Sequence, residues 1–155
     1  MIIVSPRVII FIFITLFISF IASAQISRSV DEFTGEVRIE SNTNPCIIKC
    51  INGSTTRYYL YTYTNDSYCT VGGEGIIFLF EDGTKLSKGG DVDCDVSYDY
   101  DGFTYSSFVV LTENDVKLLA TKKLTKYKMY IFPREISETM SNKILTSAKQ
   151  ILTIR

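Results

Sequence analysis

The stretch 46-CIIKCINGSTTRYYLYTYT-64 decides the fold. Two runs rich in β-branched and aromatic residues flank Asn52-Gly53, and Asn-Gly supplies the positive φ angles of a tight turn between antiparallel strands. The segment therefore reads as a β-hairpin. The same pattern recurs twice downstream. Asp82-Gly83 separates GIIFLFE from TKLSK, and Asp101-Gly102 separates DVDCDVSYDY from FTYSSFVVL. Three such turns predict an antiparallel meander. Residues 37–40, after Thr34-Gly35, add an edge strand. Residues 76–80 are apolar at every position and read as a central strand covered on both faces.

Period two assigns faces along two of these strands. Between residues 91 and 101, Val92, Cys94, Val96, Tyr98 and Tyr100 alternate with Asp91, Asp93, Asp95, Ser97, Asp99 and Asp101. One side packs and the other meets water. In the tyrosine run, Tyr59, Tyr61 and Tyr63 share a row, with Arg57 in line. The size of the rings favours packing this row beneath a helix, with Thr62 and Thr64 in water. An exposed row would instead be a platform for sugars or a protein partner.

The helices come late. In 111-LTENDV-116, Thr112 can cap, Asp115 sits near the positive end of the helix, and Leu111 can staple onto Val116. Val116, Leu119 and Ala120 continue a buried stripe, and Lys122 and Lys123 suit its C-terminal end. A strand follows over 127–132, stopped by Pro133. Ile136, Met140, Ile144, Ala148 and Ile151 then recur at helical spacing, which predicts a second helix from about Ser137. Sheet first and helices last indicates the α+β class. We expect a single domain, mainly an antiparallel β-meander, with one short helix and a C-terminal helix packed on the sheet.

The other end of the chain speaks to compartment. Residues 8–22 are apolar apart from Thr15 and Ser19, with Arg7 before them and Ala22-Ser23-Ala24 after. This is the pattern of a signal peptide over residues 1–24. The apolar run is shorter than the ~20 residues of a membrane-spanning helix. The expectation is one exported domain over 25–155, secreted or periplasmic, with no membrane span after cleavage. That part holds 15 Lys and Arg against 17 Asp and Glu, a balance without general attraction to nucleic acid. Residues 25–116 carry 6 basic and 15 acidic side chains, and residues 117–155 carry 9 and 2. Lys117, Lys122, Lys123, Lys126 and Lys128 read as solvated faces, with phosphate-bearing lipids or sugars as the alternative contact. Gly72-Gly73-Glu74-Gly75 leads into a strand, so no helix dipole stands behind it to hold a phosphate.

Cys46, Cys50, Cys69 and Cys94 are an even set in an exported chain and read as disulfides. If Cys46 and Cys50 share a strand they stand ~13 Å apart, beyond the ~7 Å that a disulfide bridges. Both would then pair across strands with Cys69 and Cys94. If Pro45-Cys46 belongs to a turn, Cys46–Cys50 with Cys69–Cys94 is possible. Neither case leaves a free thiol. A zinc site is disfavoured by the C-x3-C spacing and an oxidising compartment.

Several chemistries are excluded or weakened. The chain has no histidine, so serine or cysteine hydrolysis with an imidazole base is excluded within it. It has no tryptophan, although ten tyrosines and ten phenylalanines can partly substitute as sugar platforms. The aspartate row imitates part of a calcium loop only at Asp99 and Asp101. Carboxylates on a flat strand stand parallel and ~6.6 Å apart, so they cannot converge on one ion. The row reads as a solvated face that discourages edge pairing, with Asp99 and Asp101 the only calcium candidates. Glu74, Glu81 and the aspartates are the available carboxylate pairs for glycoside hydrolysis, with no apolar pocket evident to raise one pKa. No catalytic residue and no cofactor are assigned.

From Tyr58 to Phe132 the chain resembles a group of small uncharacterised exported β-sheet proteins of Gram-negative bacteria. The resemblance is carried by YYLYTYT, IIFLFEDGTK and FVVLTENDVKLLATKKLTKYKMYIF in that order. It implies an exported, mainly antiparallel sheet domain. The group has no known activity, so no functional residue carries over, and the cysteines lie outside the shared pattern. Three functions remain in view. The first is a non-enzymatic binding module that meets a protein or glycan through Arg57, Tyr59, Tyr61 and Tyr63 or through the acidic face. The second is a small polysaccharide or peptidoglycan hydrolase using a carboxylate pair. The third is an inhibitor or immunity-like protein presenting a disulfide-braced loop over 65–75.

Overall fold

The computed structural model describes residues 26–69, 74–99 and 101–155. Residues 1–25 and 70–73 and Tyr100 lie outside the described residues, and with them the expected signal peptide and part of the loop over 65–75. The described residues form nine antiparallel strands and two helices: β1 (Ile26–Val30), β2 (Val37–Ser41), β3 (Cys46–Asn52), β4 (Thr55–Asp66), β5 (Glu74–Phe80), β6 (Lys85–Val96), β7 (Phe103–Leu111), α1 (Glu113–Thr121), β8 (Leu124–Met129), β9 (Phe132–Glu135) and α2 (Glu138–Thr153). This is the α+β class. The three expected hairpins form. Asn52 faces Thr55 around Gly53, whose φ is 57°. Gly83 turns β5 into β6 with φ 81°, and Asp82 Oδ1 accepts from the Thr84 N–H at 3.0 Å. The third turn closes with the Ser97 N–H on the Gly102 carbonyl at 3.0 Å.

The strand order is β1-β2-β3-β4-β7-β6-β5-β8-β9, so one continuous meander is not what forms. Strands β1–β4 make one meander and β5–β7 another. The second docks by its last strand, with nine residues of register from Tyr58↔Leu111 to Asp66↔Phe103. Turn chemistry fixes neighbours within each meander. The docking of β7 on β4 depends instead on two long strands burying matched alternate residues: Tyr58, Leu60, Thr62 and Thr64 on one, Tyr105, Ser107, Val109 and Leu111 on the other.

Four expectations are corrected. The strand from Val37 is not an edge, because β1 pairs outside it from Ile26↔Ser41 to Val30↔Val37. Across residues 76–80, Ile76, Phe78 and Phe80 are buried, whereas Ile77 is exposed and Leu79 half-buried, so only one face is fully covered. The strand expected over 127–132 is really β8 and β9, joined at Tyr130, whose φ is 52°. Pro133 lies within β9, opposite Lys128 at the sheet edge, where a missing N–H breaks no ladder bond. Finally, the alternation from Asp91 holds only to Cys94, since β6 ends at Val96 and both Val96 and Tyr98 are exposed.

β6 pairs with β5 as far as Asp91 and with β7 from Val92, and Gly89-Gly90 lies just before this change of partner. A Cβ on Gly90 would meet Val109 Cγ1 at 2.8 Å, which explains the glycine. Beyond β6 the sheet turns back toward β4. Arg134 of β9 donates from Nε to Thr64 Oγ1 at 2.5 Å and from Nη2 to the Asn65 carbonyl at 2.8 Å. The Tyr127 hydroxyl donates to the Tyr63 carbonyl at 3.1 Å, and the Tyr105 and Phe132 rings lie 4.6 Å apart. Both helices join the same core. Thr112 and Asp115 form a reciprocal capping box on α1, Ser137 caps α2, and Val116, Leu119, Ile144, Ala148 and Ile151 are buried with Ile39, Ile47 and Leu60.

Candidate functional site: the uncovered sheet face

The faces of β4 are the reverse of the sequence expectation. Thr62 and Thr64 are buried, while Arg57, Tyr61 and Tyr63 are exposed and Tyr59 is half-buried. Hydrogen bonding explains the inversion. Thr62 Oγ1 donates to Asn44 Oδ1 at 2.8 Å, and Thr64 Oγ1 accepts from Arg134. Each hydroxyl therefore has an internal partner, and a threonine so satisfied is buried at little cost. The rings go to the other side, where Tyr61 and Tyr63 are exposed and share a cleft with Met140 of α2.

Neighbouring strands extend this face. Phe108 of β7 lies opposite Tyr61 and stacks on Tyr59 at 4.9 Å between centroids. Val110 lies opposite Tyr59. Phe108 and Val110 are 51% and 66% exposed, and Tyr61 and Tyr63 are 37% and 45% exposed with centroids 6.2 Å apart. Phe108 and Val110 were not among the sequence candidates. The signal was present in FTYSSFVVL, whose alternate residues Thr104, Ser106, Phe108 and Val110 share one row. On the β3 side the face is covered, since Ile48 and Cys50, opposite Tyr59 and Arg57, are both buried.

Shallow clefts lie at both ends of the tyrosine row. One, about 500 Å³, is lined by Thr56, Arg57, Tyr58, Tyr59, Val110 and Glu113 among others. Burial raises the Tyr58 pKa, and the bond from Lys117 lowers that of Glu113. The other, about 370 Å³, is lined by Asn42, Thr43, Asn44, Cys46, Tyr61 and Tyr63 among others. A third cleft lies elsewhere and brings Glu81 together with Glu138 and Lys123.

The aspartate row flanks the aromatic one. Asp93 and Asp95 lie opposite Ser106 and Thr104 of β7, which in turn lie opposite Tyr63 and Asn65 of β4. Asp91, Asp93 and Asp95 are exposed and make no ion pair among the described residues. Asp99 and Asp101 lie past the strand end and belong to no cluster of three or more metal-ligating side chains among the described residues.

Cys69 and Cys94 form a disulfide with Cα atoms 6.1 Å apart, tying the segment after β4 to β6. Cys46 and Cys50 do share a strand, yet neither finds the expected cross-strand partner, and both are free thiols. Tyr61 and Arg57 stand opposite them on β4, and Arg38 stands opposite Cys50 on β2. Burial raises the pKa of both thiols. Among the described residues no helix is long and apolar enough to cross a membrane. Compared with protein-family models, with curated proteins and with solved structures, the chain has no match.

Proposed function

We propose that the protein is a non-enzymatic exported module that binds a protein or glycan through the uncovered face of its sheet. One observation carries this reading: Tyr61, Tyr63, Phe108 and Val110 are presented to solvent, while Thr62 and Thr64 of the same strand as the tyrosines are buried on the opposite face. Large contiguous apolar surface is uncommon on proteins that bind nothing, and tyrosine is favoured at interfaces because its ring is apolar and its hydroxyl polar. Export rests on the leader pattern, and the Cys69–Cys94 disulfide fits an oxidising compartment.

The test is affinity capture from envelope and culture supernatant, comparing the exported protein with a Tyr61→Ala/Tyr63→Ala variant. The expected result is a partner retained by the first and lost by the second, at an unchanged melting temperature. Equal retention by both would remove the aromatic face from the reading. The Cys69–Cys94 bridge favours one other reading, an inhibitor or immunity-like protein that contacts a secreted enzyme with the segment after β4. There, Cys69→Ser/Cys94→Ser would release the partner and the tyrosine variant would keep it.

A further inference from the structure

We infer that the partner of this face is an extended polypeptide with lysine or arginine at alternate positions. The inference rests on the binding reading above and adds the chemistry of the partner. The strand register places two ridges on either side of β7. One is aromatic, with Tyr61 and Tyr63 of β4. The other is acidic, with Asp93 across Ser106 from Tyr63, Asp95 across Thr104 from Asn65, and Asp91, which pairs with Glu74 of β5, continuing the row along β6. Between them lie Ser106 and Thr104, both small and half-buried. Strands spaced ~4.8 Å apart put the ridges ~10 Å from each other. The result is a trough with a short-side-chain floor, and Phe108 stands at its end opposite Tyr61.

The two walls ask for one kind of side chain. Lysine and arginine have long apolar stems that lie along rings, and cationic heads that meet both π faces and carboxylates. The aspartates have no internal cation to satisfy them among the described residues, so their charge is available to a partner. Spacing sharpens the match. Successive aspartates in the row are ~6.8 Å apart, as are alternate residues of an extended chain. A polypeptide lying along β7 with a cation at every second residue therefore meets Asp91, Asp93 and Asp95 in register. Arg57 stands at the far end of the tyrosine row from this trough and would not oppose it.

The test is calorimetric titration of the exported protein with three probes: a peptide of alternating lysine and serine, one of alternating glutamate and serine, and a β-1,4-linked N-acetylglucosamine tetrasaccharide. We expect the lysine peptide to bind, more weakly as salt rises, and the other two not to bind. Asp91→Asn/Asp93→Asn/Asp95→Asn should weaken the lysine peptide by roughly tenfold or more at an unchanged melting temperature. Should that variant lose its melting transition, Asp93→Asn alone serves, with a smaller loss expected. Lysine-peptide affinity indifferent to these substitutions overturns the inference. Binding of the glutamate peptide or the saccharide that requires Tyr61 and Tyr63, without binding of the lysine peptide, also overturns it but leaves the aromatic face standing. If no probe's binding depends on those tyrosines, and the tyrosine variant still captures its partner, both readings fall.

Discussion

Lys49 Nζ donates to the carbonyl oxygen of Ile151 at 3.2 Å, a bond between the middle of β3 and the last turn of α2. The same ammonium donates to the Ile154 carbonyl just past the helix and lies 5.6 Å from the centre of the Tyr58 ring. Lys49 is 5% exposed, and burial lowers its pKa. An ammonium here satisfies two terminal carbonyls and sits at the negative end of the helix dipole. That accounts for a lysine inside the apolar run CIIKCI.

Lys49→Met should therefore destabilise the protein by about 2 kcal/mol, because hydrogen bonds from a charged donor are lost and the carbonyls remain. Urea unfolding measures this. An unchanged midpoint would mean that α2 is held by its apolar stripe alone.

The inverted faces of β4 make a paired prediction. Thr62→Val removes the bond to Asn44 and should cost about 1–2 kcal/mol. Tyr63→Ala removes an exposed ring and should cost under about 1 kcal/mol. The opposite ranking in urea unfolding would put the tyrosine row back in the core.

The two kinds of cysteine should separate chemically. Thiol titration of the unfolded, unreduced protein should find two thiols, those of Cys46 and Cys50. Peptide mapping should find Cys69 joined to Cys94. The bridge spans 25 residues, so Cys69→Ser/Cys94→Ser should lower stability by about 3 kcal/mol through the added freedom of the unfolded chain. Four reactive thiols, or none, would contradict this assignment.

Asp82 offers a pH test. The Lys122 ammonium, at 2.6 Å, and the Thr84 N–H lower its pKa from 3.8 to about 2. The folded state thus holds the proton less tightly than the unfolded state. The group's contribution is fully present above the unfolded value of 3.8 and is lost as pH falls through about 2. Carboxyl NMR should place the Asp82 titration near that value. Asp82→Asn should flatten the stability profile between these limits and lower stability above them, where the contribution it removes is fully present. A titration near 3.8 would show that the Lys122 contact does not persist in solution.

Much of the local structure was legible because its causes are local. The glycine turns at 53, 83 and 102, the Thr112–Asp115 capping box and the Ser137 cap depend on residues within four positions of each other. Helical spacing likewise marked Ile144, Ala148 and Ile151 as buried. The site was legible only as a row. Period two placed Arg57, Tyr59, Tyr61 and Tyr63 on one side, but it cannot say which side a sheet buries. Ring size pointed inward; Asn44 and Arg134, distant in sequence, satisfied the threonine hydroxyls and turned the rings outward.

By itself, then, the sequence determined the hairpins, the helix starts and the α+β class, since turn and cap chemistry acts within a few bonds of its residues. Tertiary structure alone decided that β7 pairs with β4, that Cys69 meets Cys94, and which face of β4 sees water. Each depends on contacts between residues far apart in the chain, where satisfied hydrogen bonds and matched buried rows outweigh local preference.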